Sequence, residues 1–153
     1  MIFMTTLSSG DKAPQVKAID QHGKTFDLSA MKGSKVILYF YQKDDTPGCT
    51  AEACNLRDNY TDLLARGYKV AGVSPDDLKS HLKFSEKFEL PFPLLPDPEK
   101  IIINAYGVWG PKKFMGKSYE GVNRTTFIID ESGNIERIIE KVDTKNHFGQ
   151  IAE

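Results

Sequence analysis

The segment "VILYFYQKDDTPGCTAEAC", residues 36–54, carries the reading on which the fold turns. Residues 36–42 are β-branched and aromatic, and apolar on both faces. That is the pattern of a strand buried in the middle of a sheet. A turn follows, and then residues 46–66 read as one helix. Thr46 sits at its N-cap, Pro47 at its first position, and Gly67 stops it after a run of helix formers. Both cysteines of the chain, Cys49 and Cys54, fall on this helix.

Outward from that segment, strands and helices alternate. "YKVAGVSP" (68–75) reads as a second buried strand. Ser74 is then expected to cap a helix with Pro75 at its first position and Asp76 and Asp77 in its first turn, where they suit the dipole. That helix runs to about Phe88, and "LPFPLLPDP" ends it. A short helix spans 101–106. "RTTFIIDESGNIERII" (124–139) is a hairpin turning at 131–134, and "QVKAID" with "TFDLS" is a smaller one around 21–24. The polar tail from Lys141 is a short helix or a frayed end. The expectation is an α/β fold with a mixed central sheet, helices on both faces and an N-terminal hairpin, the element order of a thioredoxin-like fold. Such a fold does not fix a function.

The 153 residues suit a single domain, 1–153, with a core large enough to fold alone. Hydrophobic residues at 40% and charged residues at 27% are those of an ordinary globular protein. A net charge of −1 gives no electrostatic case for nucleic acid or an anionic membrane. The longest apolar run, Val36 to Tyr41, is too short to span a bilayer. The start, "MIFMTTLSSGDKAP", lacks a positive segment and a long apolar stretch, so a cytoplasmic protein without a signal peptide is expected. Two cysteines cannot frame a disulfide-rich secreted scaffold. In a reducing compartment a close pair is catalytic or metal-binding more often than structural.

With Thr46 at the N-cap, Cys49 falls in the first helical turn. Unpaired N–H groups and the positive end of the dipole there favour a thiolate, which is the nucleophile. Gly48 should leave Cys49 open to a small partner. The Thr46 hydroxyl is expected near the Cys49 backbone N–H, and so beside the sulfur. Five residues along a helix separate two Cα atoms by roughly 8–9 Å, and a disulfide needs less than about 7 Å. An intact helix therefore holds Cys49 and Cys54 apart, and they can bond only if its first turns unwind. A tetrahedral metal site would need two more ligands. His22, His81 and His147 show no ligand spacing and are expected at the surface or in loops. Phe84 and Phe88 are core-facing, Glu86, Lys87 and Glu89 are a solvated face, Trp109 is a packing residue, and "GPKKFMGK" (110–117) is a basic surface loop.

The stretch "FYQKDDTPGCTAEACNLRDNY" resembles the active-site segment of peroxiredoxins, of the bacterioferritin comigratory protein or peroxiredoxin Q group. "VAGVSPDD", "LPFPLLPDP", "AYGVWG" and "GKSYEGVNRTTFIIDESGNI" continue the resemblance in order, from about Gly10 to Lys141. The resemblance implies a thiol peroxidase acting on hydrogen peroxide and organic hydroperoxides. Cys49 matches the peroxidatic cysteine, Thr46 the threonine that contacts peroxide and sulfur, Arg124 the arginine that stabilises the thiolate, and Cys54 the resolving cysteine. It implies no metal or organic cofactor, thioredoxin or a similar dithiol as reductant, and a monomer or weak homodimer. One position departs from the pattern: the family places a proline seven residues before the peroxidatic cysteine, and here Gln42 stands there.

Other functions predict other sequences or behaviours. A general thiol–disulfide oxidoreductase would show Cys-x-x-Cys at the helix start. A redox sensor would oxidise without turnover. A structural zinc site would carry stoichiometric metal.

Overall fold

The structure, a computed structural model, describes residues 5–114 and 116–153. In chain order, β1 (Lys17–Ile19) and β2 (Thr25–Asp27) form the small antiparallel hairpin, and a 3-10 turn (Leu28–Met31) leads to β3 (Lys35–Phe40). Then come α1 (Pro47–Asp58), α2 (Tyr60–Ala65), β4 (Tyr68–Ser74), α3 (Leu78–Phe88), β5 (Leu94–Pro96) and α4 (Ile101–Ala105). The hairpin of β6 (Trp109–Phe114) and β7 (Lys117–Val122) follows, then β8 (Thr125–Ile129), β9 (Ile135–Ile139) and α5 (His147–Ala152).

The central sheet has the order β5-β4-β3-β8-β9. β3 runs parallel to β4 and antiparallel to β8, so Leu38 sits between Ala71 and Phe127. Because side chains alternate along a strand, β3 supplies two cores at once. Ile37, Tyr39 and Tyr41 face α1, α2, α3 and α5, packing with Cys49, Ala53, Leu56, Leu63, Phe84 and Ile151. Val36, Leu38 and Phe40 face α4 and the N-terminal hairpin, with Phe26, Ile102 and Ile103. That double burial is why "VILYFYQ" has no polar face. The mixed sheet, the helices on both faces and the N-terminal hairpin are therefore as expected. Among the described residues, no helix is long and apolar enough to cross a membrane.

Several local expectations are corrected. The single helix over 46–66 is two helices, because Asn59 leaves helical geometry (φ −112°, ψ 12°). Its side-chain Nδ2 takes the Asn55 carbonyl at 2.8 Å, the acceptor its own backbone N–H would have used. Ser74 does not cap α3. It ends β4, and its hydroxyl donates to Asp76, while Asp77 is the N-cap and accepts the Ser80 N–H at 2.8 Å. "LPFPLLPDP" does more than end a helix: Leu94–Pro96 pairs in parallel with β4 at the sheet edge, where prolines are tolerated. The basic stretch expected as a free loop over 110–117 is strand at residues 110–114, within β6, and at Lys117, which begins β7; position 115 lies outside the described residues. Its neighbour Trp109 packs against the core, as expected.

Candidate active site

The site forms where the N-terminus of α1 meets the start of β8. On α1, Cys49, Glu52, Ala53 and Leu56 are the buried residues, a helical i, i+3, i+4, i+7 face turned to the sheet. Cys49 is only 1% exposed, so it is a core residue as well as a candidate nucleophile, and the open turn expected from Gly48 is not what the chain builds. The glycine has a different use. A Cβ at Gly48 would stand 3.1 Å from Arg124 Nη2, so the missing side chain lets the guanidinium close on the helix end.

Arg124, far along the chain, arrives with one nitrogen for each of two groups. Nη2 donates to Cys49 Sγ at 3.2 Å, and Nη1 donates to Glu52 Oε1 at 2.8 Å. Glu52 is fully buried, and burial pushes its carboxyl up to about 7 against the opposing pull of Arg124. Among the described residues the buried Tyr39 hydroxyl has no hydrogen-bond partner, and burial raises it well above the ordinary phenol range, so it stays neutral. Lys112 on β6 donates to the Val122 carbonyl at 2.9 Å, and its pKa is lowered by burial and by Arg124.

Thr46 is the N-cap of α1 by backbone geometry, yet its side chain caps nothing. The expected approach of its hydroxyl to the Cys49 N–H is corrected: Oγ1 donates to the Lys43 carbonyl at 2.8 Å. The hydroxyl proton is thereby committed, and the oxygen lone pairs remain for a donor from solvent. The loop that sets this geometry is latched from below. The Asp44 carboxylate accepts from Tyr41 Oη (2.6 Å), Ser80 Oγ (2.8 Å) and His81 Nδ1 (2.7 Å), and the Asp44 N–H donates to Asp76 Oδ2 (2.8 Å). Asp44, Asp76 and His81 also lie close enough to gather a cation. Their hydrogen bonds to one another and to the loop make them a latch, and they do not include Cys49.

Gln42 has a defined use. Its Oε1 accepts the Val122 N–H at 2.6 Å and ties the β6–β7 hairpin to the end of β3. Cys54 lies on the same unbroken helix as Cys49, half-buried, and both thiols are free. Burial raises the Cys54 pKa, Arg57 opposes, and Asp58 adds to the rise.

The family resemblance implied that Arg124 meets Cys49, helix-start chemistry put Thr46 at the head of the same helix, and neither pointed to Glu52 or to two of the histidines. The signal for Glu52 was present, since three residues after Cys49 is the same helical face. His81 and His147 are fully buried, against the expectation of surface positions, because each is hydrogen-bonded by groups from elsewhere in the chain; His22 is exposed as expected.

Comparison with known proteins identifies the family of the chain. Residues 9–138 match the AhpC/TSA family. The chain is 44% identical to peroxiredoxin Bcp of Bacillus subtilis over 95% of this chain and 92% of that one. It is 43% identical to peroxiredoxin Bcp of Escherichia coli K12, over 94% and 92%. Among solved structures it superposes on the bacterioferritin comigratory protein of Xanthomonas campestris, described for alkyl peroxide reduction. The TM-score is 0.83 at 29% identity, covering 97% of this chain and 94% of that one. Sequence motif, thioredoxin-like architecture and full-length similarity converge, and the chain belongs to the AhpC/TSA family as a peroxiredoxin of the bacterioferritin comigratory protein or peroxiredoxin Q group, a thiol peroxidase.

Proposed function

We propose that Cys49 is the peroxidatic cysteine, Arg124 and Thr46 its partners, and Cys54 the resolving cysteine. The observation that carries the reading is the 3.2 Å hydrogen bond from Arg124 Nη2 to Cys49 Sγ, since a cation there favours the thiolate that peroxide chemistry requires. The thiolate attacks one peroxide oxygen. An S–O bond forms, the O–O bond breaks, and the leaving oxygen takes a proton to become water or an alcohol. The Thr46 oxygen accepts the peroxide O–H and aligns it, because its own proton is held by the Lys43 carbonyl. Arg124 meets the charge that develops on the peroxide oxygens.

Cys49 becomes a sulfenic acid. Cys54 condenses with it, releasing water and leaving a Cys49–Cys54 disulfide. The helix holding both residues must first open at its N-terminal turns. A dithiol of the thioredoxin class then exchanges with the disulfide and returns both thiols. The substrates are hydrogen peroxide and organic hydroperoxides, in keeping with the alkyl peroxide reduction described for the Xanthomonas campestris relative. The reading places the enzyme in the cytoplasm, where such a reductant operates, as a monomer or weak homodimer.

Stopped-flow peroxide consumption with thioredoxin and its reductase tests the proposal. Intact protein should turn over repeatedly, Cys49→Ser should be inactive, and Cys54→Ser should give one turnover without regeneration by thioredoxin. Sustained turnover by Cys49→Ser would overturn the assignment.

A further inference from the structure

Arg124 is a single cation shared by two acids, the Cys49 thiol and the Glu52 carboxyl. In a buried site one cation does not neutralise two anions, so Cys49 and Glu52 compete for a proton. What decides the competition lies on the far side of Glu52. Its Oε2 is buried with no hydrogen-bond partner among the described residues, and His147 Nε2, carried by α5, faces it at 3.6 Å.

The neighbours of His147 fix its tautomer. Gln150 Oε1 accepts the Asp143 N–H at 2.8 Å, and Gln150 Nε2 donates to the Lys141 carbonyl at 2.8 Å, which orients the amide. His147 Nδ1, 2.8 Å from that same Oε1, must therefore carry its proton. Burial lowers the pKa of His147, so the ring is neutral and Nε2 is a lone pair. It accepts the Thr126 hydroxyl at 2.8 Å and turns toward Glu52 Oε2. Thr126 already engages that lone pair, so at 3.6 Å His147 gives Glu52 Oε2 no donor, only the partial negative charge of a ring nitrogen, which disfavours a carboxylate more than a neutral carboxyl.

We propose that His147 is a positioning residue that keeps the shared proton on Glu52, leaving the charge of Arg124 to the Cys49 sulfur. The proposal rests on the reading of Cys49 as the peroxide nucleophile. The step is a proton transfer with no other reactant: the proton leaves Cys49 Sγ and bonds to Glu52 Oε2, and the net charge does not change. The rise of Glu52 to about 7 on burial runs in the same direction. The ionisable groups around the pair are Cys49 on α1, Tyr39 from β3, Arg124 ahead of β8, Lys112 from β6 and His147 from α5. Asp143 and Arg137 act on His147 with opposite signs. Of these, His147 is the group placed at Oε2.

The test uses full-length reduced protein carrying Cys54→Ser, so that ultraviolet thiolate absorbance reports Cys49 alone. Absorbance and the rate of reaction with hydrogen peroxide are followed against pH. In that parent protein the rate should rise as the thiolate forms and decline at higher pH, as Glu52 loses its proton and takes charge from Arg124. In Glu52→Gln, whose amide imitates the protonated carboxyl, the absorbance step should move down by about one pH unit and the alkaline decline should vanish. His147→Leu should move the step up and slow the reaction near neutrality by about fivefold, roughly 1 kcal/mol. Added to Glu52→Gln, it should do neither. A His147→Leu shift that persists with Gln at position 52 would overturn the proposal, as would an unchanged profile for Glu52→Gln. Should His147→Leu not fold, the Glu52→Gln profile decides by itself. A Cys49 that peroxide never consumes would instead overturn the nucleophile reading, and this proposal with it.

Discussion

Arg124 places Nη2 3.2 Å from the sulfur of Cys49, although 75 positions separate the two residues in the chain. A hydrogen bond to a charged group contributes about 1.5–3 kcal/mol. Arg124→Gln should therefore slow the reaction of Cys49 with peroxide by about 10- to 100-fold. Arg124→Lys should recover only part of it, because one ammonium cannot serve Cys49 and Glu52 with a planar fork. Single-turnover rates for the two variants check both expectations.

Glu52 ties stability to pH. Its carboxyl is raised by burial from an ordinary 4.5 to about 7, so the folded state holds a proton that the unfolded chain gives up. A raised carboxyl costs nothing at low pH. Stability should decline as pH rises from about 4.5 and level off above about 7, for a total near 3 kcal/mol. Urea unfolding of reduced protein at pH 5 and pH 8 should show this loss, and Glu52→Gln should lose most of the difference.

α1 is braced against α5 and the segment before it. Asn55 Oδ1 accepts the Phe148 N–H at 2.7 Å, and Asn55 Nδ2 donates to the Lys145 carbonyl at 3.3 Å. Asn55 follows Cys54 directly, so in the proposed mechanism these bonds anchor the helix against the opening that the disulfide requires. Asn55→Ala should destabilise the reduced protein by about 1–2 kcal/mol and speed the step from sulfenic acid to disulfide by several-fold. Rapid-quench thiol trapping measures that step.

Gln42 fastens the β6–β7 hairpin through Val122. The packing is close, since a Cβ at Gly121 would stand 2.7 Å from Gln42 Oε1. Gln42→Ala leaves the Val122 N–H without its acceptor and should cost about 1–3 kcal/mol. Gln42→Pro, which restores the family residue, cannot accept that bond either, and should be less stable than the native chain by thermal denaturation.

The parts of this architecture with strong local signals were legible in the sequence. "VILYFYQ" could only be a strand covered on both sides, and the Thr-Pro-Gly-Cys turn could only start a helix. Segments decided by distant partners were not legible. Asn59 breaks the helix by capturing a carbonyl, which its residue type permits but does not require. Leu94–Pro96 is too proline-rich to read as a strand until β4 pairs with it. Within the site, Cys49 and Thr46 were legible from helix-start chemistry and Arg124 only through family resemblance. His147 was invisible, because nothing local in "TKNHFGQ" says that its ring meets Glu52. The Thr46 hydroxyl was misplaced because capping preference describes an average helix, and here the Lys43 carbonyl competes for it.

The central claim is that two thiols held on one intact helix become a disulfide when that helix opens. The most direct measurement counts free thiols in reduced protein after one equivalent of hydrogen peroxide, with peptide mapping and far-ultraviolet circular dichroism on the same sample. The account predicts that both thiols disappear, that a Cys49–Cys54 bond forms within one chain, and that helical signal falls. Two surviving thiols, or an intramolecular bond formed with the helical signal intact, would contradict it.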